Sequence, residues 1–450
     1  MSWLGFELRL ILRSRLMLAA LLLLSLLASL AVWSGLHEVE RQRETIARVG
    51  PLNEQDVASV ASRYPDSPEG GSPAYYTFYA TWDPPSDAAF LALGLRDVAP
   101  HVLRVRALGL QAQLYEGEAF NPELALAGRF DFAFVLIYLA PLFMIALLHD
   151  LVSGERQAGR LRMLLALPQG TRLWRRRVGL RGLLVFACLA LPAAAGAAAA
   201  GSGAGVLAVV LLVAAAYLAF WVGMALLVAS RGWRSVANAT ALMGIWAVLT
   251  LVLPALANVA LTRALPVHQG VDLVLAQREA VHGAWEIPRE ETMRKFYAGH
   301  PEWKNSTPLP ETFHWKWYFA FHQLGDESVA PQAQAYRAGL LARQAWTERL
   351  GWLLPGVGAQ GILHRVAGTD LPAQLAYQDG IARFHAEIRR FYYGYLFGER
   401  PFGADDYARR PVYAARSADS PPSVLALSAL LALGVLVLAL GLTRLARLRP

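Results

Sequence analysis

The sequence predicts an all-α polytopic membrane protein with six transmembrane helices and two extracytoplasmic insertions, the second mainly helical. Hydrophobic residues make up 55% of the 450 residues and charged residues only 17%, a balance typical of membrane proteins. Six apolar runs approach or exceed the length that a helix needs to cross a bilayer. The predicted spans are 16–36, 132–148, 182–200, 206–229, 236–261 and 424–442.

Charge predicts the orientation of these spans. The short segments beside them hold 16 Lys and Arg residues against three Asp and Glu residues, which is typical of cytoplasmic loops. The formal net charge of +8 is therefore a signal of topology and does not predict a nucleic-acid partner. We expect a multi-pass protein of the cell inner membrane with both termini cytoplasmic and basic loops near anionic lipid.

The amino-terminal region supplies the first span. Residues 1–15 alternate apolar and charged side chains as an amphipathic entry helix on the inner surface would. The run 16–36 has no charge and is longer than the core of a typical signal peptide, which is the alternative. The predicted divisions are 1–36 for the entry helix and span 1, 37–131 for the first insertion, 132–261 for spans 2 to 5, 262–423 for the second insertion, and 424–450 for span 6 and a basic tail.

The Arg-rich loop, residues 150–181, has eight arginines against two carboxylates, Asp150 and Glu155. Within it, Ala158, Leu161, Leu164 and Leu165 recur at helical spacing. This pattern predicts a short amphipathic helix along the membrane, ended by Pro168 and Gly170.

This loop carries a resemblance to a known family. Its glutamate, glycine, leucines and proline, followed by a basic run, resemble the cytoplasmic loop of type-2 ATP-binding-cassette (ABC) permeases, in the branch with a large domain between the fifth and sixth spans. The matching positions are Glu155, Arg156, Gly159, Leu161, Leu164, Leu165 and Pro168. The family's usual Thr after the glycine is Arg160 here. A basic anchor without a docking role is the alternative reading of the loop.

The resemblance implies a permease subunit of an exporter in which these residues dock on a separate ABC ATPase. It also implies pairing with a second permease copy or a paralogue. ATP and Mg would be bound by the partner ATPase, and this chain would bind no cofactor and would not be an enzyme. In agreement, Lys295, Lys304 and Lys316 are the only lysines and none follows a glycine, so the sequence lacks a phosphate-binding loop. The alternatives are a membrane-anchored extracytoplasmic enzyme and a non-transporting assembly factor for exported proteins.

Spans 3 and 4 are separated by a short Gly-Ser-Gly turn, 201–203, and must form a hairpin. Their many Ala and Gly residues favour close helix contact. Span 5 contains Asn238 and Asn258. Each could make a hydrogen bond between helices or face a substrate.

In the second insertion, an apolar face that includes Tyr377, Ile381 and Phe384 predicts a helix that starts after Thr369 or Asp370 and ends before Gly398. An aromatic cluster at 313–322 contains Trp315 and Trp317, which are candidate substrate contacts. The alternatives for these aromatics are a domain core or a belt resting on the membrane.

Metal and disulfide chemistry is not predicted. The histidines are scattered singly, and although His300, His314, His322 and His364 share one insertion, such residues more often pack or face water. Cys188 is the only cysteine and lies in an apolar run, so no intrachain disulfide can form.

Overall fold

The computed structural model describes residues 3–115, 129–166, 170–267, 270–415 and 423–447, and these are mostly helical. Among these described residues, six helices are long and apolar enough to cross a membrane, which is consistent with a multi-pass membrane protein and confirms the predicted fold class at this level. They are Arg15–Arg63, Phe132–Gln157, Arg172–Ala200, Ala204–Ala229, Ser235–Ala264 and Val424–Ala446.

The first half of the chain begins with helices α1 (Trp3–Arg13) and α2 (Arg15–Arg63). Short elements follow: β1 (Asp66–Ser67), α3 (Gly71–Tyr76), β2 (Tyr79–Trp82), β3 (Val102–Val105) and α4 (Leu110–Tyr115). The second apolar helix, α5, comprises Phe132–Phe134, a π-helical turn Val135–Leu139, and Ala140–Leu148. The Arg-rich loop then contains α6 (Ser153–Gln157) and α7 (Leu161–Ala166), and α8 (Gly170–Ala200) leads back through the bundle.

The second half continues with α9 (Ala204–Ala229) and α10, which comprises Ser235–Ala247, a π-helical turn Val248–Val252, and Leu253–Ala264. Beyond the bundle lie α11 (Gly270–Gly283), α12 (Arg289–Gly299) and α13 (Trp315–Leu350). Helix α14 (Pro355–Ala367) then packs into the bundle core, and α15 (Leu371–Leu396) follows it. The chain ends with β4 (Phe402–Gly403), α16 (Ala404–Ala408) and α17 (Val424–Ala446). Helix α15 begins after Asp370, whose side chain caps it, as the sequence predicted.

Helix α2 does not stop where the first apolar run stops. It continues past Leu36, through the charged stretch and Pro51, to Arg63. The predicted boundary between span 1 and the first insertion therefore falls inside one continuous helix. At its other end, Ser14 separates α2 from α1, because the Ser14 side chain accepts a hydrogen bond from the Met17 N–H at 3.4 Å.

The two π-helical turns each precede a proline in a bundle helix. Val135–Leu139 lies just before Pro141, and Val248–Val252 lies just before Pro254. A proline has no N–H to donate and its ring crowds the preceding turn, so a wider turn relieves the clash without ending the helix.

The closest helix pair of the bundle is α9 with α17. A Cβ on Gly434 would lie 2.5 Å from the carbonyl oxygen of Ala216, and one on Gly223 would lie 2.6 Å from that of Val437. Glycine at these places lets the two backbones touch. The sequence suggested such contact for the hairpin of α8 and α9, whereas the tightest approach is between α9 and the last bundle helix.

The two predicted insertions pack together as one body, which the predicted topology places outside the membrane and which we call the extramembrane domain, built from residues 64–115, 270–350 and 371–415. Strand β1 pairs antiparallel with β4, so that Asp66 faces Gly403 and Ser67 faces Phe402. Tyr79 donates a hydrogen bond to the Tyr392 hydroxyl at 2.8 Å in the shared core. Each insertion thus completes the other.

A buried apolar segment, residues 88–93, joins this domain to the bundle. All six side chains are buried, and Phe90 at its centre is fully enclosed. A Cβ on Gly196 of α8 would lie 2.6 Å from the Phe90 ring, and Gly35 of α2 lies against the Phe90 backbone. Two glycines therefore form the socket for one phenylalanine.

Candidate functional site

Glu155 of the Arg-rich loop is held inside a network of charges. Its carboxylate accepts hydrogen bonds from Arg160 Nε at 2.7 Å and from Arg177 Nη1 at 3.0 Å. Arg177, on α8, also donates through Nε to Glu7 of α1 at 2.9 Å. The Glu155 and Arg177 side chains are only 17% and 12% exposed. The network therefore ties α6 to both α1 and α8.

A second set of contacts ties α6 to the start of α10. Arg156 Nη1 donates to the Gly232 carbonyl at 2.5 Å, and the Ser153 and Ser235 hydroxyls share a hydrogen bond of 2.8 Å. The buried Asn238 amide donates to the His149 carbonyl at 3.2 Å and to the Ser153 hydroxyl at 3.3 Å. Asn238 thus makes the interhelical hydrogen bonds that the sequence allowed for it.

Gly159 divides the predicted amphipathic helix in two. Its φ of +73° is left-handed, and the Gly159 and Arg160 N–H groups return to the Arg156 and Glu155 carbonyls at 3.0 and 2.9 Å. This is the glycine C-cap that ends helices. The prediction of one helix through Ala158 and Leu165, ended by Gly170, was wrong: α6 ends at Gln157, α7 begins at Leu161, and α8 begins at Gly170.

The leucines and the polar residues of the loop lie on different sides. Leu161 is buried in the bundle core, and Leu164 and Leu165 pack against it. Gln157, Arg162 and Met163 are exposed, and Met163 is 62% exposed. Pro168 lies outside the described residues. A partner approaching the loop would meet this exposed side, whereas Glu155 faces Arg160 and Arg177.

The candidate substrate-facing residues do not come together. Asn238 and Asn258 are separated by about 30 Å of helix at 1.5 Å per residue. Asn258 is exposed, Trp317 is buried in the core of the extramembrane domain at 3% exposure, and Trp315 packs on Tyr75 with ring centroids 5.3 Å apart. Trp317 is therefore a residue of the domain core, which was one of the alternatives to substrate contact.

The four histidines considered as metal ligands, His300, His314, His322 and His364, are also dispersed. His314 Nε2 lies 2.8 Å from Glu69, and His300 Nε2 lies 3.1 Å from Glu327. His322 is buried among aromatic rings, and burial lowers the pKa of His364 to about 4. Within the described ranges, no three metal-binding side chains form a group.

Sequence reasoning missed the most connected polar centre, which joins the two insertions. Buried Arg389 donates to Asp326 at 2.6 Å, to Gln323 at 2.6 Å and to the Leu108 carbonyl at 2.8 Å. Asp326 also accepts from the Leu110 N–H at 2.8 Å, at the start of α4. No short-range sequence pattern predicts these contacts, because the partners of Arg389 are far from it in the chain.

Comparison with known proteins covers part of this region. Residues 272–416 match a family model described as a domain of unknown function (DUF3526). The match spans most of the second insertion and less than half of the chain. No curated protein and no solved structure matches the chain.

Proposed function

We propose that this chain is the membrane subunit of an ATP-driven exporter of the type-2 ABC class. A separate ATPase would bind ATP and Mg, and a second permease copy or paralogue would complete the conduit. In this proposal the Arg-rich loop and both termini are cytoplasmic, and the protein resides in the cell inner membrane. The proposal is supported by the sequence resemblance of the loop and, above all, by the way the loop is bound to the bundle.

The Glu155–Arg177–Glu7 network is the observation that carries the proposal. Its members are largely buried, and removing one partner of such a pair costs on the order of 2 to 5 kcal/mol. A displacement of α6 would therefore move α1 and α8 with it. Arg156 and Ser153 add α10 to the same unit through Gly232 and Ser235. Force applied at the loop would reach α1 and the two bundle helices α8 and α10 as a rigid-body motion.

This arrangement separates two roles that the sequence combined in Glu155. We assign docking to the exposed side of the loop, at Gln157, Arg162 and Met163. We assign transmission to Glu155 and Arg177, which lie beneath it. Gly159 has open space around its Cβ position, so a partner's backbone could approach closely there.

The test is copurification of an ABC ATPase with this chain, followed by ATP hydrolysis in nanodiscs. Met163→Glu and Arg162→Glu should reduce copurification and leave membrane yield unchanged. Arg177→Gln should retain the ATPase but lose stimulated hydrolysis, because docking persists without transmission. Arg175→Glu, an exposed cation of the same loop outside α6 and α7, is the matched control. Absence of any copurifying ATPase, or normal behaviour of all three variants, would refute the proposal.

A further inference from the structure

The extramembrane domain contains an apolar cavity of about 530 Å³ between α11, α12 and α13. Its walls include Ala280, Gly283, Ala284, Ile287, Phe321 and Leu324. The volume falls in the range of about 300 to 1,000 Å³ that is common for small-molecule sites. Small residues create the room: a Cβ on Gly283 would meet no atom within 4 Å.

The polar atoms of the wall are already paired within the protein. The Thr292 hydroxyl donates to the Pro288 carbonyl at 3.5 Å, and the Ser328 hydroxyl donates to the Gly325 carbonyl at 2.8 Å. A polar ligand group would find few new partners inside the cavity and would lose its hydration. The cavity therefore favours a hydrocarbon chain over a peptide or a sugar.

Two opposite charges stand at the rim, Lys295 and Glu327. Lys295 Nζ lies 3.4 Å from Glu291, but Arg294 already holds that carboxylate through two bonds of 2.8 and 2.7 Å. Two cations thus share one anion. Glu327 Oε1 accepts from the Gln323 amide at 2.8 Å and lies 3.1 Å from His300 Nε2, and Glu327 Oε2 keeps free lone pairs. An ammonium group could bind Glu327 while a phosphate binds Lys295.

We propose that this cavity binds a single-chain amphiphile with a zwitterionic headgroup, of the lysophosphatidylethanolamine type. The chain would fill the apolar space, with the phosphate at Lys295 and the ammonium at Glu327. Binding requires no ATPase, so this inference stands apart from the proposed transport function.

The cavity lies away from the bundle. Helix α13 passes Val267, just beyond α10, at Gly339, and its first residue Trp315 contacts Gly71 beyond the outer end of α2. Gly325 is 14 residues from Gly339, or about 21 Å along the helix at 1.5 Å per residue. In the proposed topology a chain bound there lies outside the bilayer, so the site fits an amphiphile taken from the membrane.

The experiment uses the full chain in detergent-free nanodiscs with a lysophosphatidylethanolamine that carries a diazirine at the chain end. After irradiation, mass spectrometry should map adducts to Phe321, Leu324 or Ile287. Gly283→Leu, which adds a large side chain at the cavity wall, should lower these adducts about tenfold or more, and Ala280→Leu on the same wall should do the same. Gly50→Leu, which also adds a side chain in open space, should have no effect. Melting temperatures identify any variant that fails to fold.

The headgroup is tested in the same assay. Lys295→Glu should lower the adducts, whereas Lys304→Glu, an exposed lysine of the same domain, should not. A diazirine alkanol without the headgroup should compete weakly. Adducts confined to the bundle helices, adducts unchanged in both Gly283→Leu and Ala280→Leu, or equal labelling by the alkanol would overturn the proposal.

Discussion

Arg389 Nη2 lies 2.6 Å from Asp326 Oδ2, and both side chains are buried where the two insertions meet. Asp326 simultaneously accepts hydrogen bonds from the Leu110 and Gln111 N–H groups at 2.8 and 3.4 Å. One carboxylate therefore joins α13, α15 and the start of α4. This pair makes the folding of the first insertion depend on the second.

Removing the carboxylate should destabilise the extramembrane domain. We expect Asp326→Ala to lower the free energy of unfolding by about 3 to 5 kcal/mol, because it leaves a buried guanidinium unpaired. The matched control is Asp379→Ala, whose partner Arg337 is 39% exposed and whose own side chain is 41% exposed; such a pair contributes about 0 to 1 kcal/mol. Denaturant unfolding in nanodiscs measures both. Equal losses would show that burial does not set the strength of the Asp326 pair.

Substitutions at Phe90 and its neighbours should lower the stability of the protein by a similar amount. Phe90→Ala should cost about 3 to 5 kcal/mol, since the ring is fully buried and packs against Gly196. Gly196→Leu should displace the ring and loosen the same contact. Phe313→Ala, at a 46% exposed ring, should cost clearly less. Thermal unfolding compares the three variants, and a small effect of Phe90→Ala would contradict the packing.

Replacing the glycines at the contact of α9 with α17 should destabilise the bundle. Gly223→Leu or Gly441→Leu should separate the two helices and cost at least about 1 to 3 kcal/mol, because the side chain would overlap the facing backbone. Gly205→Leu lies on the same helix α9, but its Cβ would meet nothing within 4 Å. The melting temperature should fall for the first two variants and stay near the wild-type value for the third. The opposite order would exclude close packing of α9 on α17.

His322 should make the extramembrane domain sensitive to acid. Burial, followed by the charges of Arg389 and Arg106, lowers the pKa of His322 to about 3. In the unfolded chain the pKa is about 6.5, so the unfolded state binds the extra proton between these values. Stability is full above pH 6.5 and falls as the pH drops below it.

The loss attributable to His322 should be roughly 2 to 3 kcal/mol between pH 6.5 and 4.5. His322→Phe, which keeps an aromatic ring in an aromatic environment, should remove that part of the pH dependence. His282→Phe, at an exposed position, should retain it. Unfolding curves at several pH values give the difference, and parallel curves for wild type and His322→Phe would disprove the assignment.

Thiol labelling tests the orientation of the chain. In a Cys188→Ala background, a cysteine at exposed Ser328 should react with an impermeant reagent in intact cells, and one at exposed Met163 should not. Both should react after lysis. Ser67 is a poor reporter because it is buried in the β1–β4 pairing. Labelling of Met163→Cys from outside would place the Arg-rich loop on the wrong face for an ATPase.

The apolar helices were predictable because a bilayer imposes a length and a composition on each of them. The structure of the segments between these helices was harder to predict, because no bilayer constrains their length or composition. The end of span 1 at residue 36 marked the end of the apolar run, but helix formation continues because charged residues such as Glu38 and Arg41 are also good helix formers.

The candidate site was predictable in position and not in detail. Leu161, Leu164 and Leu165 were expected on an apolar face, and they do pack against the bundle. The break at Gly159 could have been anticipated from glycine's preference for a helix C-cap. In contrast, the pairing of Glu155 with Arg177 follows from how α6 rests on α8, and no sequence spacing encodes it.

The continuity of α2 has a mechanical consequence. At 1.5 Å per residue, its 49 residues form a rod of about 73 Å that begins after Ser14 and ends just before β1. A rod of this length is a lever: a tilt of about 5° at the inner end displaces the outer end by about 6 Å. Pro51 lies within the outer part of this rod, and proline is a common cause of sharp helix bends. A small tilt of α2 within the bundle would therefore produce a large displacement at its end in the extramembrane domain.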